Sequence, residues 1–176
     1  MTIVFWFAIR LTLAFADAHS PPMNEKIEGG CACGRVRYQI ASAPIFTQAC
    51  HCRDCQRESG TAFAHNAMVE TNRLTIEGET EAVTLPTNSG GGQIVVRCSS
   101  CKTALFSHYG GSDKVAFLRV GTLDDPDAFP PQIHVWTRSK QPWVVLPDNT
   151  PSVEEYYRAA EVWPPEALER RKALAN

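Results

Sequence analysis

Seven cysteines stand in this chain of 176 residues, and they are grouped rather than scattered. The groups are Cys31-Ala32-Cys33, Cys50-His51-Cys52-Arg53-Asp54-Cys55 and Cys98-Ser99-Ser100-Cys101. A disulfide framework suits small secreted domains, whereas this chain is larger and its cysteine count is odd. Buried structural thiols account for isolated cysteines, not for clusters. Metal binding accounts for the spacing. Zn²⁺ takes four tetrahedral ligands, and C-x₂-C is the usual way to supply two of them. C-x-C in extended backbone supplies two as well, because residues i and i+2 point to one side. Cys31, Cys33, Cys98 and Cys101 make the natural closed set, two pairs from distant points of the chain. Cys50, Cys52 and Cys55 remain. The first two converge from extended chain, the last two lie one helical turn apart, and Gly60 is placed to end that turn. Four protein ligands mark a structural zinc and three a catalytic one, so seven divides into one closed and one reactive site. Two alternatives stay open. His51 could be a fourth ligand of the middle set, although its place between two inward-pointing cysteines turns it away. An iron–sulfur cluster could use cysteines alone, but a set of three fits it poorly.

The elements that must carry these groups read as short strands. Arg35 to Ile40 alternates, with Val36, Tyr38 and Ile40 on one face and Arg35, Arg37 and Gln39 on the other. Further strands are expected at 62–69, 74–77, 82–85, 93–97, 104–107, 115–120 and 133–137. No long amphipathic helix separates them, which excludes a parallel α/β sheet and predicts a mainly β protein. Asn88-Ser89-Gly90-Gly91-Gly92 is a flexible loop, and Asp124-Asp125-Pro126 and Pro130-Pro131 punctuate another. Ser152 and Glu155 fit a capping box opening a helix through about Glu161. Pro164-Pro165 breaks it, and a last charged helix is expected over 166–175. With 44% hydrophobic and 20% charged residues the chain is an ordinary folded protein, and its net charge of −2 excludes wholesale binding to nucleic acid or anionic membranes. Residues 2–16 form an apolar run broken by Arg10, shorter than the ~20 residues that span a bilayer. Three readings compete for it: a secretory segment with Ala16-Asp17-Ala18 as cleavage site, an artefact of start-site choice with Met23 as the true start, or a native apolar extension.

The runs Gly29-Gly30-Cys31-Ala32-Cys33-Gly34, Cys50 to Gly60 and Arg97-Cys98-Ser99-Ser100-Cys101 together resemble the glutathione-dependent formaldehyde-activating enzyme family, also called the centromere-protein-V/GFA family. Val120 to Pro126 and Ile133 to Trp143 look like that family's C-terminal half, so the resemblance covers about Gly29 to Pro147. It implies a zinc-stapled β-tent fold of short antiparallel strands with short peripheral helices. The chain is expected to divide into an apolar extension (1–22), a zinc domain of this type (23–150) and a helical charged tail (151–176), the first and last lying outside the resemblance. The resemblance implies two Zn²⁺ per chain, a structural one on Cys31, Cys33, Cys98 and Cys101 and a catalytic one on Cys50, Cys52 and Cys55. The implied activity is a carbon–sulfur lyase run in reverse, joining glutathione and formaldehyde into S-(hydroxymethyl)glutathione.

Such a reaction leaves an alkoxide that needs a proton, for which His51, Asp54, Glu58, His65 and His134 are the candidates. Glutathione carries two carboxylates, for which Arg53, Arg57, Lys102 and Arg138 are candidates. Trp136 and Trp143 could wall the pocket. The expected partners are a small-molecule thiol and an aldehyde, not nucleic acid, and not a membrane unless the N-terminal segment is one that engages it. Unpaired thiolates favour the reducing cytoplasm, or export if residues 1–18 are a signal peptide. The rival function is a non-catalytic zinc-binding interaction module with both zinc sites structural.

Overall fold

The computed structural model describes residues 27–174; the apolar segment 1–22 and the alternative start at Met23 lie outside the described residues. In chain order the elements are β1 (Ile27–Gly30), β2 (Arg37–Ile40), β3 (Phe46–Cys50), α1 (Arg53–Ser59), β4 (Ala64–Glu70), β5 (Leu74–Glu77), β6 (Thr80–Leu85), β7 (Gln93–Cys98), β8 (Ala104–Tyr109), β9 (Val115–Arg119), β10 (His134–Val135), α2 (Ala159–Val162) and α3 (Pro165–Ala173). The protein is mainly β, with short strands and short helices at its periphery. A three-stranded antiparallel sheet has the order β1-β2-β5. A seven-stranded sheet has the order β10-β3-β4-β9-β8-β7-β6, antiparallel except where β10 lies parallel to β3.

Alternation in β2 puts Tyr38 and Ile40 on the inner face of the small sheet, with Val36 beside them. They pack against Ala67, Val69, Leu105 and Leu118 of the large sheet. Ile40, Leu105 and Leu118 are at most 1% exposed, and burying each contributes roughly 2 kcal/mol. Gly29 sits in β1 where a Cβ would fall 2.3 Å from the Tyr38 hydroxyl, so only glycine lets the two strands approach. That hydroxyl is bonded to Thr122 Oγ1 at 2.7 Å.

The other face of the large sheet carries a second core. Phe46, Met68, Ile133 and Val135 are covered by Trp163 and Ala167 from the C-terminal segment. Phe46 stacks on Trp163 with ring centres 5.4 Å apart. Arg170 of α3 grips Glu70 with Nε to Oε1 at 2.7 Å and Nη2 to Oε2 at 2.5 Å.

Two expectations are corrected. Ser152 does not open a helix. It forms a bridge with His134, and the chain beside it runs along the open edge of β10. His134 N–H donates to Pro151 O at 2.9 Å, Val153 N–H to His134 O at 2.9 Å and Trp136 N–H to Glu155 O at 2.7 Å. An unpaired strand edge outcompetes the capping box for these backbone groups, and helix begins only at Ala159. The strand expected over 133–137 stops at Val135, because Trp136 takes a left-handed conformation (φ 59°) and a 3₁₀ turn follows over Thr137–Ser139.

Candidate metal centres and the adjoining cavity

All seven cysteines are free thiols, and they gather into two groups. In each group every sulfur lies within 4.8 Å of the others. Four sulfurs around one Zn²⁺ with bonds of ~2.3 Å are about 3.8 Å apart, so the donor sets fit this ion.

The first group joins the two sheets. The loop leaving β1 carries Cys31 and Cys33, while the end of β7 and the turn into β8 carry Cys98 and Cys101. Cys31 Sγ lies 3.4 Å from Cys33 Sγ, which lies 3.9 Å from Cys98 Sγ. Val36 N–H donates to Cys31 Sγ at 3.2 Å, a contact that favours the thiolate there, and Cys101 N–H donates to Cys98 Sγ at 3.5 Å. The Thr103 hydroxyl and amide pull the Cys101 thiol down to about 5. Lys102 takes a left-handed conformation (φ 64°) to close this turn, and its amine meets Glu81 at 2.7 Å. It therefore belongs to the four-cysteine corner, and it does not line the cavity beside the other three cysteines.

The second group is built where β3 turns into α1. Cys50 ends the strand, Cys52 caps the helix by accepting Cys55 N–H at 3.3 Å, and Cys55 follows within the first turn. Gly60 (φ 67°) ends α1, its N–H returning to Gln56 O at 2.9 Å. Hydrogen bonds from Cys50 and Cys55 hold the Cys52 thiol far below its usual range. The same contacts, to Cys52 and then Cys55, push Cys50 far up. One thiolate is thus already favoured here. Among the described residues no His, Asp or Glu donor atom joins the three sulfurs.

Gln56, buried beneath the loop, uses both ends of its amide. Nε2 donates to His51 O at 2.6 Å and Ser139 O at 3.0 Å, and Oε1 accepts from Arg53 Nη1 at 2.7 Å. Glu58, 2% exposed in its side chain, meets Arg97 and Arg119, both at 2.7 Å. These contacts fix α1 to the sheet.

The three thiols open on a cavity of about 510 Å³. Its floor is one face of the large sheet, Gln48, Asn66, Phe117, Tyr109 and Gln93 from five neighbouring strands. Trp136 and Tyr156 form one side, and Asp54 with the loop residues Thr87, Asn88 and Ser89 another. Arg53 and Arg138 stand at its edge, with the Arg138 guanidinium 5.0 Å over the Trp136 ring and paired with Glu155.

The proton-transfer candidates divide by face. Register pairs His65 and His134 with Ala49, on the side of β3 away from Cys50. His51 is fully buried on that side too, its Nε2 3.0 Å from His134 Nδ1. It is thereby engaged away from the sulfurs. Burial and then His134 push both His51 and His65 down to about 4. Glu58 is held by Arg97 and Arg119 and does not line the cavity. Asp54 alone of the five lines the cavity, and its carboxylate accepts Asn88 N–H at 2.8 Å and Nδ2 at 2.7 Å. Arg57 and the exposed Trp143 lie in a separate groove, so Trp143 does not wall the cavity.

Tyr109, Asn66 and Gln48 were not foreseen. Burial, with the Cys55 thiol adding to it, raises the Tyr109 phenol above its usual range and keeps it protonated. Asn66 Oδ1 accepts from Arg119 Nη1, and Gln48 Oε1 accepts from Tyr157 at 2.9 Å. The signal for Tyr109 lay in continuing the alternation of β8 two residues beyond Ser107.

A solved Rhodobacter sphaeroides protein is similar at 18% identity and a TM-score of 0.43, covering 55% of this chain and 87% of that one. A search of curated proteins found no match. A family model described as "Glutathione-dependent formaldehyde-activating enzyme" matches residues 26–139, which include both cysteine groups and the cavity floor. The chain belongs to the glutathione-dependent formaldehyde-activating enzyme (GFA) family.

Proposed function

We propose that the chain is a zinc-dependent carbon–sulfur lyase-type enzyme, joining a thiol such as glutathione to a small aldehyde such as formaldehyde. The observation that carries this reading is the placement of three convergent thiols on the wall of a 510 Å³ cavity, with His51 turned to the opposite face. Three protein ligands facing open space are the pattern of a zinc that does chemistry, whereas a site for structure alone is closed by four. Cys50, Cys52 and Cys55 would hold Zn²⁺ there, and Cys31, Cys33, Cys98 and Cys101 a second, structural ion. When bound at the three-thiol site, zinc would supply the positive charge that favours the ionised, nucleophilic form of an incoming thiol.

The remaining work falls to the chain. Arg53 and Arg138 attract the carboxylates of the thiol substrate and orient it. Phe117, Trp136 and Tyr156 exclude water from its stem. The protonated Tyr109 hydroxyl and the Asn66 amide offer hydrogen bonds to the aldehyde oxygen as the carbon–sulfur bond forms. Holding the two reactants together supplies several kcal/mol by proximity alone. Seven free thiols fit a reducing compartment, and the cytoplasm is the proposed location. No helix among the described residues is long and apolar enough to cross a membrane.

The test mixes zinc-loaded protein with glutathione and formaldehyde and follows the adduct by NMR exchange spectroscopy. Faster exchange than the spontaneous reaction is the expected result. An unchanged rate removes the proposed activity and leaves the binding-module reading.

A further inference from the structure

Arg119 is 8% exposed, and a guanidinium is seldom buried so deeply without a reason. Side chains on one face of a strand recur every second residue, and residues paired across strands share a face. Phe117 lines the cavity, so Arg119, two residues on in β9, faces the same side of the large sheet. The pairing of Arg119 with Asn66 and of Phe117 with Ser107 agrees. Arg119 thus extends the cavity floor to the place where α1 covers it. Glu58, its partner on that helix, follows Cys55 by three residues, so the two side chains share a helix face.

The guanidinium is held at several points. Nη2 donates to Glu58 Oε2 at 2.7 Å and to Ser107 Oγ at 2.8 Å, and Nη1 donates to Asn66 Oδ1 and, at 3.4 Å, to Phe117 O. Nε is buried with no partner among the described residues. The charges do not cancel locally. Arg97 and Arg119 both meet Glu58 at 2.7 Å, so two cations share one anion. Among the described residues neither arginine pairs with a second acid. A surplus charge in the interior is costly unless something opposes it. The thiol trio does so, since Cys55 and Arg119 each act on the other's charge. Three thiolates around one divalent ion carry one net negative charge, which matches the surplus.

We propose that Arg119 is a positioning residue of the three-thiol site. Its charge balances the metal-loaded trio, and its hold on Asn66 Oδ1 turns that amide so that the NH₂ end faces the cavity. An amide free to flip would present its oxygen as well, and oxygen repels a developing alkoxide. An incoming thiolate brings one more negative charge, so the counter-charge matters most when the site is filled. This assignment rests on the reading of the trio as a reactive zinc site, and it extends that site to a residue that touches neither metal nor substrate.

The test compares the zinc-loaded protein with Arg119→Gln, which removes the charge, and Arg119→Lys, which keeps the charge without the fork of the guanidinium. In both variants Glu58 retains Arg97, so no buried carboxylate is stranded. Stepwise competition with a chelator reads both metal sites in one molecule, the four-cysteine corner serving as internal reference. In Arg119→Gln the zinc affinity of the trio falls roughly tenfold to thirtyfold, the scale of one unit charge acting across several ångströms of protein, while the corner is unchanged. Arg119→Lys restores most of that affinity. In thiol–aldehyde exchange Arg119→Lys nonetheless loses roughly tenfold or more in kcat with KM little changed, because Asn66 is no longer fixed. An unchanged trio in Arg119→Gln, equal loosening of both metal sites, or full kcat in Arg119→Lys overturns the proposal. If Arg119→Gln does not fold, Arg119→Lys decides alone: parental zinc affinity with lowered kcat supports the assignment, and weakened affinity or full kcat overturns it. Failure of the proposed reaction reads differently. A loss of zinc confined to the trio in Arg119→Gln, in a protein whose parent turns over no thiol, sinks the reaction and keeps the counter-charge.

Discussion

A thiol ligates a metal only as a thiolate, so the state of each cysteine decides what its group can do. In the three-thiol set Cys52 is the favoured thiolate, stabilised by two neighbouring thiols and by the Cys55 amide at the start of α1. Cys50 and Cys55 are buried at its side, and ionising them as well requires a cation. Cys55→Ser is therefore expected to lower zinc content by about one equivalent while the far-ultraviolet dichroism stays unchanged, since Cys55 lies on α1 and takes no part in strand pairing. Unfolding of the variant would mark the site as structural and favour the interaction module. The grouping of the cysteines was legible in the sequence because coordination numbers count ligands and spacing supplies them. The direction of His51 was legible from parity alone, one residue after an inward-facing Cys50. Tyr109 and Asn66 were not legible. Their meeting on one floor depends on the register of β7, β8 and β9, and β7 and β8 shift register between Val96 and Arg97.

Helix α1 has seven residues, too few to be stable on its own, yet it carries Cys55, is capped by Cys52, and bears both Arg53 and Arg57. What fixes it is tertiary: Gln56 under the loop, Asp54 on Asn88, and above all Glu58 between Arg97 and Arg119. Removing one partner of a buried ion pair leaves its mates uncompensated, so Glu58→Ala is expected to cost about 3 kcal/mol in urea unfolding, with Arg119 carrying most of the effect because Arg97 is the more exposed partner. A loss below 1 kcal/mol would mean that water already solvates this cluster. The helix itself could be read from Cys52, Cys55 and Gly60. Glu58 could not, since an acid in a short charged helix reads as a solvated face until the strands beneath it are in place. β3 was missed for a related reason. Phe46–Cys50 is buried at every position, so it lacks the alternation that exposed β2. The helix expected from Ser152 failed in the opposite sense, its local signal sound but overridden by the free edge of β10.

The whole molecule is two sheets joined by a shared apolar core and a four-cysteine corner, and those joints respond differently to acid and to chelation. His65 is half-buried in the large sheet, and the loss of water around its ring pushes its pKa down to about 4. Between that value and the ordinary 6.5 it is neutral when folded and protonated when unfolded, so the unfolded chain binds the extra proton. Its contribution is fully present above pH 6.5 and fades as pH falls toward 4, up to about 3 kcal/mol in all. His65→Gln should flatten that part of the stability profile, and an unaltered slope would show that the imidazole is protonated in the native state. The mainly β class was legible from strand spacing, but the order of strands and the joining of two sheets through cysteines 65 and more residues apart are properties of pairing, which no local pattern encodes. The corner makes the sharpest prediction for the assembled protein. Cys98 is fully buried at the end of β7, and a closed zinc site contributes folding free energy outright. Cys98→Ser should therefore unfold the domain under conditions in which Cys55→Ser does not. A chelator added stepwise to the zinc-loaded chain should release metal in two stages. The ion of the three thiols leaves first, because it has one protein ligand fewer and faces the cavity, and thiol–aldehyde turnover goes with it while dichroism is retained. The corner ion leaves second, and the β signal collapses as it goes. Release of both ions in one step together with unfolding would show that the two sites are a single cooperative unit, and the division between a structural and a reactive metal would fall.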